Sequence, residues 1–406
     1  MLDFAVQHSQ RETEAAVNPA RLQKPGRLTS IDLVRGVVMI LMAIDHVRVY
    51  SGIPAGGQTF GLFFTRWITN FVAPAFVFLA GTSAYLYGRR RERRSDLAKF
   101  LLIRGLWLIF LELTFLRLCW TFNFDFAHYL LAGVIWMIGW SMIVLSACVY
   151  LPPFITGCFG LAIMLLHNLS DVFRIPLEAM FGADGPNWLL KIVYFGGEVK
   201  LGAAGPPLMI LYVIVPWVGV MMAGYAFGTV IQLPIERRRR VSLYLGALCV
   251  VLFAVLRTVD KYGDPRAWHK IPTVISFLNT TKYPASLDFL LMTLGPMFLL
   301  LSFAESWRGR VARIVETFGR VPMFYYLLHI PLIHAAACVV CKVREGHVDP
   351  WLFANHPLAA GHAPPGYRWS LGLLYFVYAV CVILLYFPCR WYAAKRTADP
   401  KWLSYL

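Results

Sequence analysis

The sequence predicts an all-α fold, that of a polytopic integral membrane protein with about ten transmembrane helices. Of its 406 residues, 58% are hydrophobic and only 15% are charged, and the mean hydropathy is +0.60. Soluble domains carry about 25% charged residues. The apolar segments also reach the ~20 residues that a helix needs to cross a bilayer. Composition therefore excludes an ordinary soluble protein.

Ten apolar segments are candidate membrane spans. They lie near residues 31–50, 62–87, 100–118, 130–150, 153–168, 206–231, 241–257, 286–304, 318–341 and 369–390. The polar N-terminus lacks the apolar core of a signal peptide, so we expect the first helix to be retained as an anchor. We divide the chain into a polar cytoplasmic segment, a membrane domain and a cytoplasmic tail, at residues 1–27, 28–390 and 391–406.

Basic residues are concentrated in alternate loops, which orients the chain. With the N-terminus in the cytoplasm, the clusters at residues 89–94, 237–240 and 308–313 and the basic tail lie on one side. The loops 51–61 and 119–129 on the other side contain no Lys or Arg. Short cytoplasmic loops of membrane proteins carry this excess of positive charge. Both termini are therefore predicted to be cytoplasmic.

The formal net charge of +16 does not indicate nucleic-acid binding. It resides mainly in the short basic loops, where the anionic headgroups of the lipid bilayer are the expected partner. The eight cysteines show no spacing typical of disulfides. His347, His356 and His362 lack the paired or helical spacing of metal ligands, so no metal site is predicted.

Two ionisable residues of the first span, Arg35 and His46, indicate where the chemistry lies. They are eleven residues apart, close to three turns of helix, so they share one face about 16 Å apart along the axis. An ionisable group at bilayer depth costs about 2.5–3.5 kcal/mol and normally faces a functional polar cavity. One helix face thus carries a cation toward the cytoplasm and an imidazole toward the outside.

The predicted topology assigns a depth to each polar residue in the spans and separates two clusters. The inner cluster is cationic and contains Arg35, Arg104 and Arg320. The outer cluster surrounds His46 and contains Asp45, Arg48, Arg66, Asn70 and His329. Guanidinium groups bind phosphates with two parallel hydrogen bonds, so the inner cluster suits a polyanionic cytosolic donor such as acyl-CoA.

An imidazole in the outer half can act as a general base or carry an acyl group itself. The two clusters together favour an acyltransferase that takes an acyl group from acyl-CoA and delivers it outside. No permanently bound cofactor is expected. We assign the chemistry to His46, with Asp45 or His329 setting its tautomer. Two structural alternatives stay open, since the arginines could extend separately to lipid headgroups and His46 could be a hydrogen-bonded core residue.

Polar and aromatic side chains near the outer surface suit a sugar-like acceptor. The predicted acceptor site contains Arg48, Arg66, Asn70, Asn279, Lys282 and Tyr283. Aromatic rings pack on the apolar face of a sugar, and polar groups bind its hydroxyls. Aromatic residues also collect at membrane interfaces without any ligand, so a plain anchoring role competes with this assignment.

Segments along most of the chain resemble a known family. Arg27-Leu28-x-Ser30-Ile31-Asp32-x-x-Arg35-Gly36, followed by His46, is similar to the Arg-x10-His signature of membrane acyltransferases that O-acylate extracytoplasmic glycans. A closer resemblance is to the heparan-α-glucosaminide N-acetyltransferase catalytic-domain family of the same superfamily. Its bacterial members have segments similar to residues 71–81, 216–220, 262–265 and 276–284, and Gly319-Arg320-x-Pro322-x-x-x-Tyr326-x-x-His329 extends the resemblance over residues 27–390.

This resemblance implies a ten- or eleven-helix acyltransferase of the bacterial cytoplasmic (inner) membrane. The resemblance also implies a transmembrane tunnel, acyl-CoA, in particular acetyl-CoA, as the donor from the cytoplasm, and a sugar-like acceptor on the far side. Lysosomal members have Asn where His46 stands here, and carry their reactive histidine in the first luminal loop. Loop 51–60 of this chain contains no histidine. Either His46 takes the role, as in the O-acylating relatives, or another span supplies it, for example through His329.

Two other classes of membrane protein stay open on sequence alone. A proton-coupled transporter would also bury His and Asp, but it would more often show repeated halves with matching broken helices, and we find no internal repeat. A non-catalytic scaffold for envelope assembly would not need the inner arginine cluster. The sequence does not define the acceptor, the acyl chain length, the choice between direct transfer and an acyl-enzyme, or the oligomeric state, monomer or homodimer.

Overall fold

Apolar helices form most of the molecule. The computed structural model describes residues 28–56, 59–169, 188–202, 205–269 and 273–398. The helices are α1 (Thr29–Tyr50), α2 (Phe60–Trp67), α3 (Val72–Gly88), α4 (Arg94–Leu111), α5 (Arg117–Thr121), α6 (Val134–Cys148), α7 (Pro153–Leu166), α8 (Trp217–Ile231), α9 (Ile235–Val259), α10 (Val274–Leu278), α11 (Leu287–Ala304), α12 (Arg310–Arg320), α13 (Pro322–Glu345) and α14 (Leu371–Ala398).

Short irregular turns connect several of these helices. A 3-10 turn, Ile68–Phe71, joins α2 to α3, and a π-helical turn, Glu112–Leu116, joins α4 to α5. A helical turn at Trp188–Leu190 continues as a π-helical turn at Lys191–Phe195. A further 3-10 turn, Pro350–Phe353, follows α13. The wider π turn after α4 bears on the site, because such turns change the direction in which side chains point.

Within the described residues, five helical stretches are long and apolar enough to cross a membrane. They are Phe60–Gly88, Ile235–Val259, Leu287–Ala304, Pro322–Glu345 and Leu371–Arg396, and α6, α7 and α8 are shorter apolar helices. Helices occur at all ten predicted positions. Helix α1 is not among the five, because Asp32, Arg35, Asp45 and Arg48 interrupt its apolar sequence.

The prediction of an all-α fold is wrong in one region, where three short strands form a sheet. They are β1 (Leu130–Ala132), β2 (Gly197–Lys200) and β3 (Pro207–Ile210), in the order β1-β3-β2. Strand β3 is parallel to β1 and antiparallel to β2. The span predicted at residues 206–231 therefore becomes helical only from Trp217, because Pro206, Pro207 and Pro216 disfavour a helix in its first part.

Two other predicted boundaries also shift. The span predicted at residues 318–341 is split at Val321, because Arg320 ends α12 and Pro322 begins α13. The tail predicted from residue 391 begins inside α14, which runs to Ala398. The predicted N-terminal segment, residues 1–27, and the end of the tail, residues 399–406, lie outside the described residues.

Helix α1 is central and packs against α3, α11, α12, α13 and α14. Its crossing with α12 is close enough to require glycine on both helices. A Cβ on Gly36 would lie 1.9 Å from the Val315 carbonyl oxygen, and a Cβ on Gly319 would lie 1.7 Å from that of Asp32. Small residues let helix backbones approach in this way. The crossing brings the adjacent residues Arg35 and Arg320 to the same end of the bundle.

A second close crossing joins α4 and α6. A Cβ on Gly105 would lie 2.6 Å from the Gly139 carbonyl oxygen, and a Cβ on Gly139 would lie 2.7 Å from that of Gly105. Helix α6 begins directly after strand β1 and Gly133. The sheet and the glycine crossing together fix the N-terminus of α6 beside the end of α4.

Candidate active site

The predicted inner cluster lies around one cavity of about 470 Å³, which we call the arginine cavity. Its charged lining comprises Asp32, Arg35, Arg104, Arg320 and Arg396. The rest of the lining is largely apolar and aromatic. A guanidinium-rich wall with an apolar interior can bind phosphates at one part and an uncharged chain at another.

Arg35 is held in place by contacts from two helices. Its Nη2 donates to the carbonyl oxygen of Leu79 at 3.2 Å and also to the hydroxyl of Ser83. Its Nη1 lies 3.7 Å from the carboxylate of Asp32. Arg396 donates from Nη1 to the carbonyl oxygen of Arg320 at 3.0 Å, which fixes the last helix against α12. Fixed guanidinium groups lose less conformational entropy when they bind a ligand.

A second cavity, of about 600 Å³, contains His46, and we call it the histidine cavity. His46, Glu112, Trp120 and Tyr212 are part of its lining. Val134 and Tyr326 line both this cavity and the arginine cavity. The two cavities therefore adjoin at these two side chains.

His46 and His329 form a direct pair between α1 and α13. The Nδ1 atom of His46 lies 2.6 Å from Nε2 of His329. The ring centroids are 4.7 Å apart and the ring planes differ by 25°. Nitrogens this close indicate rings joined edge to edge by a hydrogen bond, because stacked rings would keep these atoms farther apart. The indole of Trp120 packs edge-on against His46, with centroids 4.8 Å apart.

The contacts of His329 determine the proton positions in this pair. Its Nδ1 lies 2.7 Å from the carbonyl oxygen of Tyr326 and 3.2 Å from that of Tyr325. A carbonyl oxygen only accepts, so Nδ1 of His329 carries the proton and its Nε2 is the acceptor in the neutral ring. His46 must then donate from Nδ1, which leaves Nε2 of His46 with a lone pair. Within the described part of the chain, no group bonds that nitrogen.

Asp45 lies next to His46 in sequence, but its carboxylate contacts two arginines. Oδ1 accepts from Nε of Arg48 at 2.8 Å, and Oδ2 lies 3.4 Å from Nη1 of Arg66. Successive helical residues point about 100° apart, which explains the separation. Of the two residues predicted to set the tautomer of His46, the structure brings His329 to the ring and turns Asp45 toward the arginines.

The predicted acceptor residues line the histidine cavity and a third, adjoining cavity of about 430 Å³. Arg66, Asn70, Asn279, Lys282 and Tyr283 line this third space, which we call the lysine cavity. Arg66 and Tyr283 line the histidine cavity as well. Arg48 lines the histidine cavity but not the lysine cavity. The ammonium of Lys282 lies 5.4 Å from the ring centroid of Tyr283. All six residues are thus brought together in one region.

Arg257 holds the loop that carries Asn279, Lys282 and Tyr283. It is 1% exposed and donates from Nε to the carbonyl oxygen of Phe277 at 3.0 Å. Asp264 accepts from the backbone nitrogen of Thr281 at 2.7 Å. The segments 262–265 and 276–284 therefore fold against each other. Burial lowers the pKa of the Lys282 ammonium in this loop.

Sequence reasoning missed several lining residues, among them Glu112, Tyr326 and Arg396. Glu112 could have been recognised from the sequence, because a carboxylate within an apolar span is itself unusual. Tyr326 was quoted only as part of a motif. Arg396 was assigned to a basic tail, because the length of α14 could not be predicted.

Comparison with known proteins identifies the family. Residues 27–260, more than half of the chain, match the family described as "Heparan-alpha-glucosaminide N-acetyltransferase, catalytic". The match includes Arg35, His46, Arg66 and Arg104 and ends before α13, which carries His329. No curated protein matches the chain. The chain therefore belongs to the heparan-alpha-glucosaminide N-acetyltransferase catalytic family, and this membership, with its apolar helices, indicates a membrane acetyltransferase.

Proposed function

We propose that this protein transfers an acyl group, most simply acetyl, from acyl-CoA in the arginine cavity to a sugar-containing acceptor in the histidine and lysine cavities. The observation that carries the proposal is the hydrogen-bond chain from Tyr326 through His329 to His46. This chain leaves a basic nitrogen of His46 in a cavity that adjoins the arginine cavity.

The arginine cavity supports acyl-CoA as the donor. Its four guanidinium groups match the negative charge of the phosphates, and its apolar lining matches an uncharged thioester arm. The basic loops 89–94 and 237–240 support a cytoplasmic position for this end of the bundle. We assign the protein to the bacterial cytoplasmic membrane, with donor entry from inside and the acceptor outside.

The lysine cavity supports a polar acceptor. Lys282, Asn70 and Asn279 supply hydrogen bonds, and the ring of Tyr283 supplies a flat apolar surface. This combination suits a sugar ring with several hydroxyls. Because Arg66 and Tyr283 line both outer cavities, an acceptor bound there extends toward His46.

Two routes use the lone pair of His46. In both, the acceptor gains the acyl group and loses a proton, and CoA is released as the thiol. In direct transfer, an acceptor hydroxyl or amine attacks the thioester carbonyl, and Nε2 of His46 takes its proton. The carbon–sulfur bond then breaks, and the CoA thiolate receives the proton. In the acyl-enzyme route, Nε2 itself attacks the thioester, the carbon–sulfur bond breaks and the CoA thiolate leaves. In a second step the acceptor attacks the acyl carbon, the bond to Nε2 breaks, and the acceptor proton passes to the thiolate.

The decisive experiment compares His46→Ala with Arg35→Gln in purified protein. Acyl-CoA binding and CoA release are measured with and without glucosamine as the probe acceptor. His46→Ala should lower transfer by at least ~10² while acyl-CoA still binds, because acid–base catalysis is worth about 10²–10⁴. Arg35→Gln should instead weaken acyl-CoA binding by about tenfold or more, as expected for loss of one charged hydrogen bond.

Two outcomes would contradict the proposal. A His46→Ala protein with near-normal transfer would move the chemistry to another residue. A wild-type protein that neither binds acyl-CoA nor releases CoA with any acceptor would place the chain outside the catalytic members of its family. Lys99→Gln, a charge removal at an exposed position of α4, serves as the control for Arg35→Gln.

A further inference from the structure

Glu112 is a buried carboxylate in the histidine cavity that the steps above do not use. It is 1% exposed and begins the π-helical turn at the end of α4. His46 lies 17 residues after Thr29 in α1, and Glu112 lies 18 residues after Arg94 in α4. Both side chains therefore lie roughly 25–27 Å along helices whose earlier turns line the arginine cavity. A carboxylate and an imidazole thus line one cavity.

One oxygen of Glu112 is held by the N-terminus of α6. Oε2 accepts from the backbone nitrogen of Ile135 at 2.8 Å and from that of Trp136 at 3.2 Å. These two N–H donors, at the positive end of the α6 helix dipole, fix the carboxylate in position.

The other oxygen, Oε1, lies beside Gly133. A Cβ on Gly133 would come within 2.6 Å of Oε1, so a larger residue there would press on the carboxylate. Glu112 and Gly133 both line the histidine cavity. A helix cap alone would need only one acceptor oxygen, which Gln, Ser or Asn can supply. Here a second oxygen lies beside Gly133, another residue of the cavity lining.

We propose that Glu112 is a further catalytic residue, which accepts the proton of the acceptor nucleophile while His46 carries the acyl group. This inference rests on the proposed function and commits to its acyl-enzyme route. Nε2 of His46 first attacks the thioester, the carbon–sulfur bond breaks and the CoA thiolate leaves. The resulting acyl-imidazolium lies in the same cavity as the Glu112 carboxylate.

In the second step, the acceptor oxygen or nitrogen attacks the acyl carbon. Its proton moves to Oε1 of Glu112, the bond from the acyl carbon to Nε2 breaks, and His46 returns to the neutral ring. The proton on Glu112 then passes to the departing thiolate or to water. Glu112 thus acts as the base and His46 as the nucleophile, so His46 does not have to do both.

The test uses Glu112→Gln, because the glutamine carbonyl can still accept from the N–H groups of Ile135 and Trp136. Purified protein is incubated with acyl-labelled acyl-CoA, and then glucosamine is added. Wild-type protein should take up label and lose it to the acceptor. Glu112→Gln should take up label at a similar rate and lose it at least ~10² more slowly. Glu198→Gln, the same chemical change at an exposed site, should behave as wild type.

The outcomes separate this inference from the proposed function. If wild-type protein transfers acyl groups but never retains label, transfer is direct and the inference fails while the proposed function stands. If Glu112→Gln loses label as fast as wild type, Glu112 is only a helix cap and the inference fails. If wild-type protein shows no transfer at all, the proposed function itself fails.

A pH measurement covers the case in which Glu112→Gln folds poorly. The rate of label loss from wild-type acyl-enzyme should fall at acid pH, because a protonated Glu112 cannot take the proton of the acceptor. In Glu112→Asp, that decline should persist with a lower maximum, since the shorter carboxylate is still a base. A rate of label loss that does not vary with pH in wild-type protein would overturn the inference.

Discussion

Two buried histidines of α13, His329 and His334, lie five residues apart and have different environments. His329 bonds the carbonyl oxygen of Tyr326 through one nitrogen and the ring of His46 through the other. His334 directs both nitrogens at backbone carbonyl oxygens, Nδ1 at Cys119 at 3.1 Å and Nε2 at Leu352 at 2.9 Å. Both side chains are fully buried. Burial alone therefore does not distinguish the two histidines.

What separates them is where the chain of hydrogen bonds ends. From His329 it continues to His46, which lines the histidine cavity. From His334 it ends on the backbone, and the ring is stacked on Phe122 with centroids 3.8 Å apart. His334 lines none of the three cavities described above. We therefore assign a positioning role to His329 and a structural role to His334.

The largest expected effect in this comparison comes from removing His329, the hydrogen-bond acceptor for Nδ1–H of His46. His329→Leu should lower transfer by roughly 10–10²-fold, because Nδ1–H of His46 loses the partner that fixes its tautomer and orientation. His329→Gln should recover part of the rate, since an amide offers both a donor and an acceptor. Acyl-CoA affinity should stay the same in both variants. Steady-state transfer kinetics at several pH values, with acyl-CoA binding measured separately, check this prediction.

An equal loss of rate in His329→Leu and His329→Gln would contradict the positioning role. So would a matching loss of thermal stability in both variants, because the lower rate would then reflect damage to the fold.

The structural role of His334 predicts an effect on stability. His334→Ala should lower the free energy of unfolding by about 2–4 kcal/mol, through the lost hydrogen bonding and the cavity left between Tyr50 and Phe122. The transfer rate per folded molecule should change by less than about threefold. Thermal unfolding in one fixed detergent, with the exposed residue His347→Ala as control, measures the difference. Lost transfer at unchanged thermal stability would make His334 functional.

This contrast also shows what the sequence could predict. The depth of each span follows from the basic loops, so the meeting of Arg35, Arg104 and Arg320 in one cavity could be predicted. The spacing of Arg35 and His46 likewise identified the helix that carries the candidate base. These predictions depend on helical periodicity and membrane depth alone.

Contacts between residues far apart in the sequence could be proposed, but the sequence could not identify which of the proposed residues meet. Spacing could not decide whether His329 or Asp45 contacts His46, because that depends on the rotation of α13 against α1. Glu112 was missed because its role depends on the N-terminus of α6, which strand β1 positions. That strand and β3 are short apolar segments, which periodicity cannot distinguish from the start of a helix.

The smallest expected effect concerns His356, a buried histidine in the loop after α13. Its Nε2 donates to the carbonyl oxygen of Trp351 at 3.0 Å, and its ring lies 4.9 Å from that of Tyr50. Burial lowers the pKa of this imidazole to about 4 from its ordinary value of 6.5. The unfolded chain therefore binds more protons than the folded one between these values. Stability should be complete above about pH 6.5 and should fall as the pH drops toward 4.

Between pH 7 and pH 5, this group should remove about 2 kcal/mol of stability, since each pKa unit corresponds to about 1.4 kcal/mol. Thermal unfolding at pH 7, 6 and 5, for wild type and His356→Gln, measures the loss. The variant should show a shallower pH dependence, because glutamine keeps a donor for Trp351 and does not titrate. An unchanged slope in His356→Gln would show that the buried ring of His356 does not resist protonation.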